Sequence, residues 1–207
     1  MINICMIYYN EVKHLPAFIE AIKKHENKIK DVICIDGPTV GYPYIKDAKS
    51  TDGSTKLLKD SGFKVIEQDT IFLNQAHKRN RYLQELSDGD KLIVIDADEE
   101  LERLDYFEGK SAYALLNFTN GEHVLSPRLM TYVYPMQYVT HTQICLCAKP
   151  ILNVCFVPGT LNNKVELNHN AIIKNNRPDH NDFHMLEYKS RIRACENIIE
   201  KLVRQPL

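Results

Sequence analysis

Four short apolar runs separated by helix-spaced segments fill the first hundred residues, and this alternation limits what the chain can fold into. Ile2 to Tyr8 reads as a buried strand that opens into a loop at Tyr9-Asn10-Glu11. Leu15, Phe18, Ile19 and Ile22 then recur at helical spacing, with Pro16 acceptable in a first turn. Val32 to Ile35 is a second strand, stopped by Asp36-Gly37-Pro38. Asp52-Gly53-Ser54 precedes a short helix through Leu57 and Leu58, which Gly62 closes from the C′ position. Phe63 to Glu67 forms a third strand, and Asn74 caps a helix carrying Ala76, Tyr82, Leu83 and Leu86. A fourth strand, Lys91 to Ile95, runs directly into Asp96-Ala97-Asp98-Glu99-Glu100. Strands joined through helices imply right-handed crossovers and a parallel sheet covered on both faces.

The second half has a different grammar. Tyr113 to Phe118 and His123 to Leu125 flank Thr119-Asn120-Gly121, a hairpin turn signal. Met130 to Tyr134, Ile144 to Ala148, Val154 to Val157 and Val165 to Leu167 are further strand candidates. From about Phe183 onward Tyr188, Ile192, Cys195, Ile199 and Leu202 repeat at helical spacing. The expected architecture is one α/β domain over residues 1–207. Its mixed sheet has a parallel N-terminal half (1–100), an antiparallel portion (101–207) and a closing helix.

Composition narrows the function. Twenty-six Lys and Arg against 27 Asp and Glu leave a formal net charge of -1. That balance lacks the basic excess needed to blanket nucleic-acid phosphates. No apolar run approaches the roughly 20 residues of a membrane-spanning helix, and the N-terminus lacks a secretory-signal pattern. The six cysteines sit mostly in apolar runs without the close spacing of a disulfide scaffold, which fits reduced, buried thiols. The expectation is a soluble cytoplasmic domain with no nucleic-acid partner and no integral membrane segment.

In an open parallel sheet, ligands bind beyond the carboxyl ends of the strands, where strand order reverses. Tyr9-Asn10-Glu11, Asp36-Gly37 and Asp96-Ala97-Asp98 all lie at such ends. In an extended strand Asp96 and Asp98 would share one side with Ala97 opposite, about 6.6 Å apart. At that separation one carboxylate would take a cation directly while the other bonds a ribose hydroxyl or a metal-bound water. Mg²⁺ or Mn²⁺ suits oxygen ligands that bridge to phosphates.

In this order, Tyr9-Asn10-Glu11, Asp36, Ser50-Thr51-Asp52-Gly53-Ser54-Thr55, Lys78-Arg79-Asn80 and Asp96-Ala97-Asp98-Glu99 resemble the family-2-type nucleotide-sugar glycosyltransferases of the GT-A, Rossmann-like fold. The likeness covers about the first hundred positions. It implies a metal-dependent hexosyltransferase that moves a sugar from a nucleoside diphosphate, usually UDP, to a glycan, lipid-linked or protein hydroxyl, with inversion. By the same resemblance Tyr9, Asn10 and Glu11 flank the nucleoside, Asp36 bonds the base, and Arg79 sits near the base or diphosphate. Asp96 reaches the ribose or the metal's water, and Asp98 ligates the metal. His169, after a strand, lies where the fold returns a histidine to the metal or diphosphate.

The pattern departs from the family in two places. Pro38 to Lys49 separate Asp36 from the Ser-Thr-Asp stretch, so either Asp36 or Asp52 is the base contact, Asp36 preferred because it directly ends a strand. Downstream, where relatives carry a His-Glu pair, this chain has Pro158-Gly159-Thr160-Leu161-Asn162-Asn163, with no carboxylate. The catalytic base is then left among Glu99, Glu122 and Glu166, and Glu166 is carried forward with Asp98 as the catalytic pair. A non-catalytic nucleotide-sugar or glycan binder that has lost its base is the alternative. His180 and His184 read as part of a polar lid, with Arg177, Lys189, Arg191 and Arg193 either ordering over the diphosphate or forming a solvated helix face.

Overall fold

The computed structural model describes residues 1–42, 45–104, 111–118, 123–134, 136–138, 144–145 and 165–169. The strand expected at Val154 to Val157, the stretch 158–163, the hairpin tip, Glu122, His180, His184, the four basic lid residues and the closing helix all lie outside the described residues.

The N-terminal half follows the alternation read from sequence. It runs β1 (Ile2–Tyr8), α1 (Leu15–Lys23), a 3-10 turn at Glu26–Lys28, β2 (Ile29–Asp36), α2 (Ser54–Asp60), β3 (Lys64–Ile66), α3 (Gln75–Leu83) and β4 (Lys91–Val94). The caps explain the boundaries. Asn74 Oδ1 accepts the His77 N–H at 2.8 Å to start α3. Gly62, at φ +83°, ends α2, with Gly62 N–H on Lys59 C=O and Phe63 N–H on Leu58 C=O. Strands β3, β2, β1 and β4 lie side by side and parallel. β1 is mostly apolar because both its faces are covered, and its one amide, Asn3, is buried with its Nδ2 on Lys91 C=O. Ile4 and Met6 join the α1 and α2 side with Leu15, Phe18 and Ile22, while Cys5 joins Ile33, Ile35, Leu92 and Val94 beneath α3.

The later strands are β5 (Glu99–Leu104), β6 (Ser111–Phe118), β7 (His123–Thr131), β8 (Gln137–Tyr138), β9 (Ile144–Cys145) and β10 (Val165–His169). Among the described residues the main sheet has the order β3-β2-β1-β4-β7-β6-β10-β5, and β8 pairs with β9 in a separate ladder. The sheet is mixed: β7 is antiparallel to β4 and β6, and β10 is parallel to β6 but antiparallel to β5. No helix among the described residues is long and apolar enough to cross a membrane.

Two features differ from the sequence reading. The run from His123 to Thr131 is one strand, not a short strand and a later one starting at Met130. Pro127 is accommodated at a register shift, where Tyr113 pairs Pro127 but Ala112 pairs Leu129, leaving Arg128 as the extra residue of a bulge. The second is β5, a strand for which the sequence carried no expectation and which follows the acidic segment directly. A similar register shift makes Glu102 the extra residue of a bulge, so that Leu101 and Leu104, three apart, both reach the core.

Candidate functional site

The strand order reverses between β1 and β4, since the chain leaves β1 toward β2 and β3 and returns to β4 on the other side. The β1–α1 loop and the Asp96 turn therefore meet at one crevice.

The first wall of that crevice is a pair of loops fastened together. Asn10, at φ +56°, turns the chain and engages the 46–54 loop from both sides. Its N–H donates to Ser50 Oγ at 2.9 Å and its Oδ1 accepts the Thr51 N–H at 2.8 Å. Glu11 N–H bonds Ser54 Oγ and Val12 N–H bonds Asp52 Oδ2, each at 2.9 Å. The Tyr9 hydroxyl donates to Asp47 C=O at 3.0 Å, and its buried ring meets Tyr42 edge-on at 5.5 Å.

Asp36 is the knot beneath this assembly. It is fully buried, and it accepts the Ser50 N–H at 2.9 Å, the Ser50 hydroxyl at 2.6 Å and the Thr55 hydroxyl at 2.9 Å. The inserted segment read from sequence as a departure thus returns Ser50 to the aspartate. Asp52 accepts Ser54 N–H and hydroxyl through Oδ1. Burial works against its charge, but these bonds and that from Val12 hold its carboxyl below the usual range. Tyr9, Asn10, Asp36 and Asp52 are therefore all engaged in shaping the rim, while Glu11 keeps a partly exposed carboxylate 4.0 Å from His14.

The second wall is the acidic segment, and it is not extended. Glu99 N–H donates to Asp96 C=O at 3.0 Å, closing a turn over Asp96 to Glu99. The turn separates the two aspartates, so they do not share one face as an extended strand would place them. Asp96 joins arginines: Arg79 Nη2 reaches Oδ1 at 3.2 Å, and Arg128 Nη1 and Nη2 both reach Oδ2 at 3.0 Å. Burial opposes its charge, yet Arg128 and Arg79 outweigh it and hold the carboxyl well below the usual range. Asp98 instead lines a cavity of about 190 Å³ with Lys13, His14, Ala17, Phe18, Glu99 and Glu100. A larger cavity of about 380 Å³ lies by the amino ends of β2 and β3, between Lys23, Glu26, Lys30 and Lys64, and holds none of the expected site residues.

Glu99 is fully buried inside the turn. Burial and the neighbouring Asp96 charge push its carboxyl up, against the pull of Arg128. The Nε atoms of Arg79 and Arg128 are buried without a hydrogen-bond partner among the described residues.

Behind both walls lies Lys78, 4% exposed, whose Nζ donates to Tyr8 C=O at 2.6 Å and to Gly37 C=O. Burial lowers its amine to about 7. Two carbonyl acceptors match the two N–H groups of a neutral amine. In the sequence Lys78 stands only within Lys78-Arg79-Asn80, and no motif marks Arg128. Lys78 and Arg79 precede Tyr82 by four and three residues, which puts them on the helix's buried face and is a signal available in sequence. Arg128 had none, because a bulge sets its aim.

The register of β10 places His169 opposite Glu99, at the level of the acidic turn. Glu166 pairs with Arg103, about 10 Å farther along the strand at 3.3 Å per residue. Among the described residues no group of three or more His, Cys, Asp and Glu is arranged to hold a metal ion.

No family model and no curated protein matches the chain. Among solved structures, the crystal structure of S. aureus TarS 1-349 is similar at 16% identity over 59% of this chain and 37% of that one, with a TM-score of 0.43. A second crystal structure of S. aureus TarS gives 16% identity over 59% of this chain and 23% of that one, with a TM-score of 0.41. The chain spans well under half the length of either TarS chain it matches. Likeness at this level assigns no family.

Proposed function

We propose that the chain is a glycosyltransferase of hexosyl type that binds a nucleoside-diphosphate sugar, with UDP as the expected nucleotide, across the β1–β4 crevice. The observation that carries the reading is the pairing of an acidic turn at the exit of β4 with two guanidinium groups and a rigid β1–α1 rim. A leaving diphosphate gains negative charge, and fixed cations in a sheltered site are the groups that stabilise it. Arg79 and Arg128 each keep one buried Nε–H, which a buried water would satisfy, so their charges act on the crevice from beneath its surface.

The residues fit a divalent cation in a restricted way. Asp98 is partly exposed and lines the small cavity, and both oxygens of Asp96 are bonded to arginine. Mg²⁺ or Mn²⁺ commonly takes one or two protein carboxylates and fills its remaining positions with water and substrate phosphate. Asp98 would supply the first ligand, with His169 at the same level of the neighbouring strand, and the ion would act as a Lewis acid toward the departing diphosphate. Asp96 would orient the donor through its arginines. The acceptor, a glycan, lipid-linked or protein hydroxyl, would approach from the side of the later strands, where Glu166 is the candidate base.

Saturation of Asp96 by arginine also favours a second reading, a nucleotide-sugar binder without transfer. Thermal unfolding with UDP, with and without Mn²⁺, tests the shared part of both. UDP with Mn²⁺ is expected to raise the Tm, and chelation or Asp98→Ala to abolish the rise. An equal rise with and without metal refutes coordination by Asp98, and no rise under any condition refutes the donor site. Release of UDP and free sugar from UDP-sugars separates the enzyme from the binder.

A further inference from the structure

The acidic turn is braced from across the sheet by residues that no motif marks. Glu99 closes the turn twice: its N–H bonds Asp96 C=O at 3.0 Å, and its Oε2 accepts the Asp96 N–H at 2.8 Å. Glu99 Oε1 accepts Arg128 Nη2 at 2.7 Å, and Arg128 returns to Asp96 Oδ2 through both terminal nitrogens at 3.0 Å. Backbone, carboxylate and guanidinium thus form a closed ring around one aspartate. Arg128 reaches it because it is the unpaired residue of the β7 bulge, beside Pro127, which has no N–H to lose from the ladder.

Glu99 is fully buried and the Arg128 side chain is 13% exposed, so the ring turns little of itself toward a ligand. Buried ion pairs contribute little net stability compared with apolar packing of the same volume, and their better-attested use is to fix a conformation. Both terminal nitrogens of Arg128 converge on one Asp96 oxygen while Nη2 also holds Glu99 Oε1, so one planar guanidinium ties the two carboxylates together in a way a point charge does not.

The geometry points to Arg128 and Glu99 as a positioning pair for the acidic turn: they fix the Asp96 carboxylate and the direction in which the turn presents Asp98. The later strands, through one bulge, would then set the donor-binding geometry of the first half. This rests on reading the turn as the donor site, but the brace itself is measurable without any nucleotide.

The test uses Arg128→Lys, Arg128→Met and Glu99→Ala in the full chain. Amide hydrogen exchange at Asp96 and Glu99, followed by NMR, reads the brace in the free protein. UDP titration with Mn²⁺ reads its consequence. Arg128→Met is expected to accelerate exchange at the Asp96 amide by about tenfold while exchange in β1 stays as in wild type. It is expected to weaken UDP binding about tenfold to a hundredfold, as loss of an orienting partner does. Arg128→Lys should fall between, and added millimolar guanidinium should restore part of the Arg128→Met loss. Should Arg128→Met fail to fold, Arg128→Lys decides, with faster exchange supporting the brace and wild-type exchange overturning it. Unchanged Asp96 exchange in folded Arg128→Met and Glu99→Ala would overturn the positioning role. Wild-type UDP affinity in folded Arg128→Met would equally overturn the claim that donor binding depends on it. If wild-type protein binds no UDP, the functional reading fails, and the exchange measurements still decide the brace.

Discussion

Lys78 offers a direct measurement of how much electrostatic strain the fold carries beneath the rim formed by the β1–α1 loop. Burial brings its amine from the ordinary lysine value of 10.5 down to about 7, while the charges of Asp36 and Glu11 pull the other way and Arg79 adds to the depression. The folded state therefore binds fewer protons than the unfolded chain between those values, and stability rises with pH across that window. Below about 7 the penalty is constant, because both states are protonated. Between pH 7 and 8.5 the gain from this one group is about 1.5 kcal/mol, from about 1.4 kcal/mol per unit and allowing for half-titration near pH 7. Raised thiol and phenol groups, among them Cys5, Cys34, Tyr8 and Tyr82, act in the opposite sense at higher pH, so the window stops at 8.5. Comparison with Lys78→Met isolates the effect. Met keeps the volume and has no charge to titrate. Tyr8 C=O would still accept the Gly37 N–H at 3.2 Å, so only Gly37 C=O loses the partner that Lys78 supplies. Urea unfolding at pH 7.0, 7.75 and 8.5 should show wild type gaining on the variant by about 1.5 kcal/mol across the series. A difference that stays constant within about 0.3 kcal/mol would refute a neutral buried amine.

Other consequences are simpler to check. Gly37→Ala should lower stability by about 2 kcal/mol or more by thermal unfolding, since the residue sits at φ +122° and a Cβ would stand 2.9 Å from the Ala48 carbonyl oxygen and 3.2 Å from the Phe72 ring. Asp36→Ala removes the acceptor for one backbone N–H and two hydroxyls, and a loss of about 3 kcal/mol in urea with new proteolytic cleavage within 46–53 is expected. Resistance of that loop equal to wild type would show that Asp36 is not its anchor. Asn74→Ala should cost about 1 kcal/mol through loss of the α3 cap, and an unchanged Tm would argue that tertiary packing alone starts that helix.

What was legible in the amino-acid order is what local chemistry controls. Continuous apolar runs at β1, β2 and β4 announce strands covered on both faces, and Asn74 and Gly62 mark helix ends through hydrogen bonds only a few residues long. The same logic brings the strand-end clusters to one rim, because carboxyl ends of parallel strands point one way. Beyond that range the sequence is silent for a physical reason. The bulges at Glu102 and Arg128 depend on partner strands 60 or so residues away in one case and a facing hairpin arm in the other, and each breaks the two-residue period on which strand reading depends. A turn rather than a strand at Asp96–Glu99 sends two aspartates of one motif to different neighbours. The amino-acid order thus supplied charged groups and the edge at which they gather. Which carboxylate would hold an arginine, which a loop and which face a cavity was decided only when distant segments folded against one another, because those choices rest on contacts of side chains far apart along the chain.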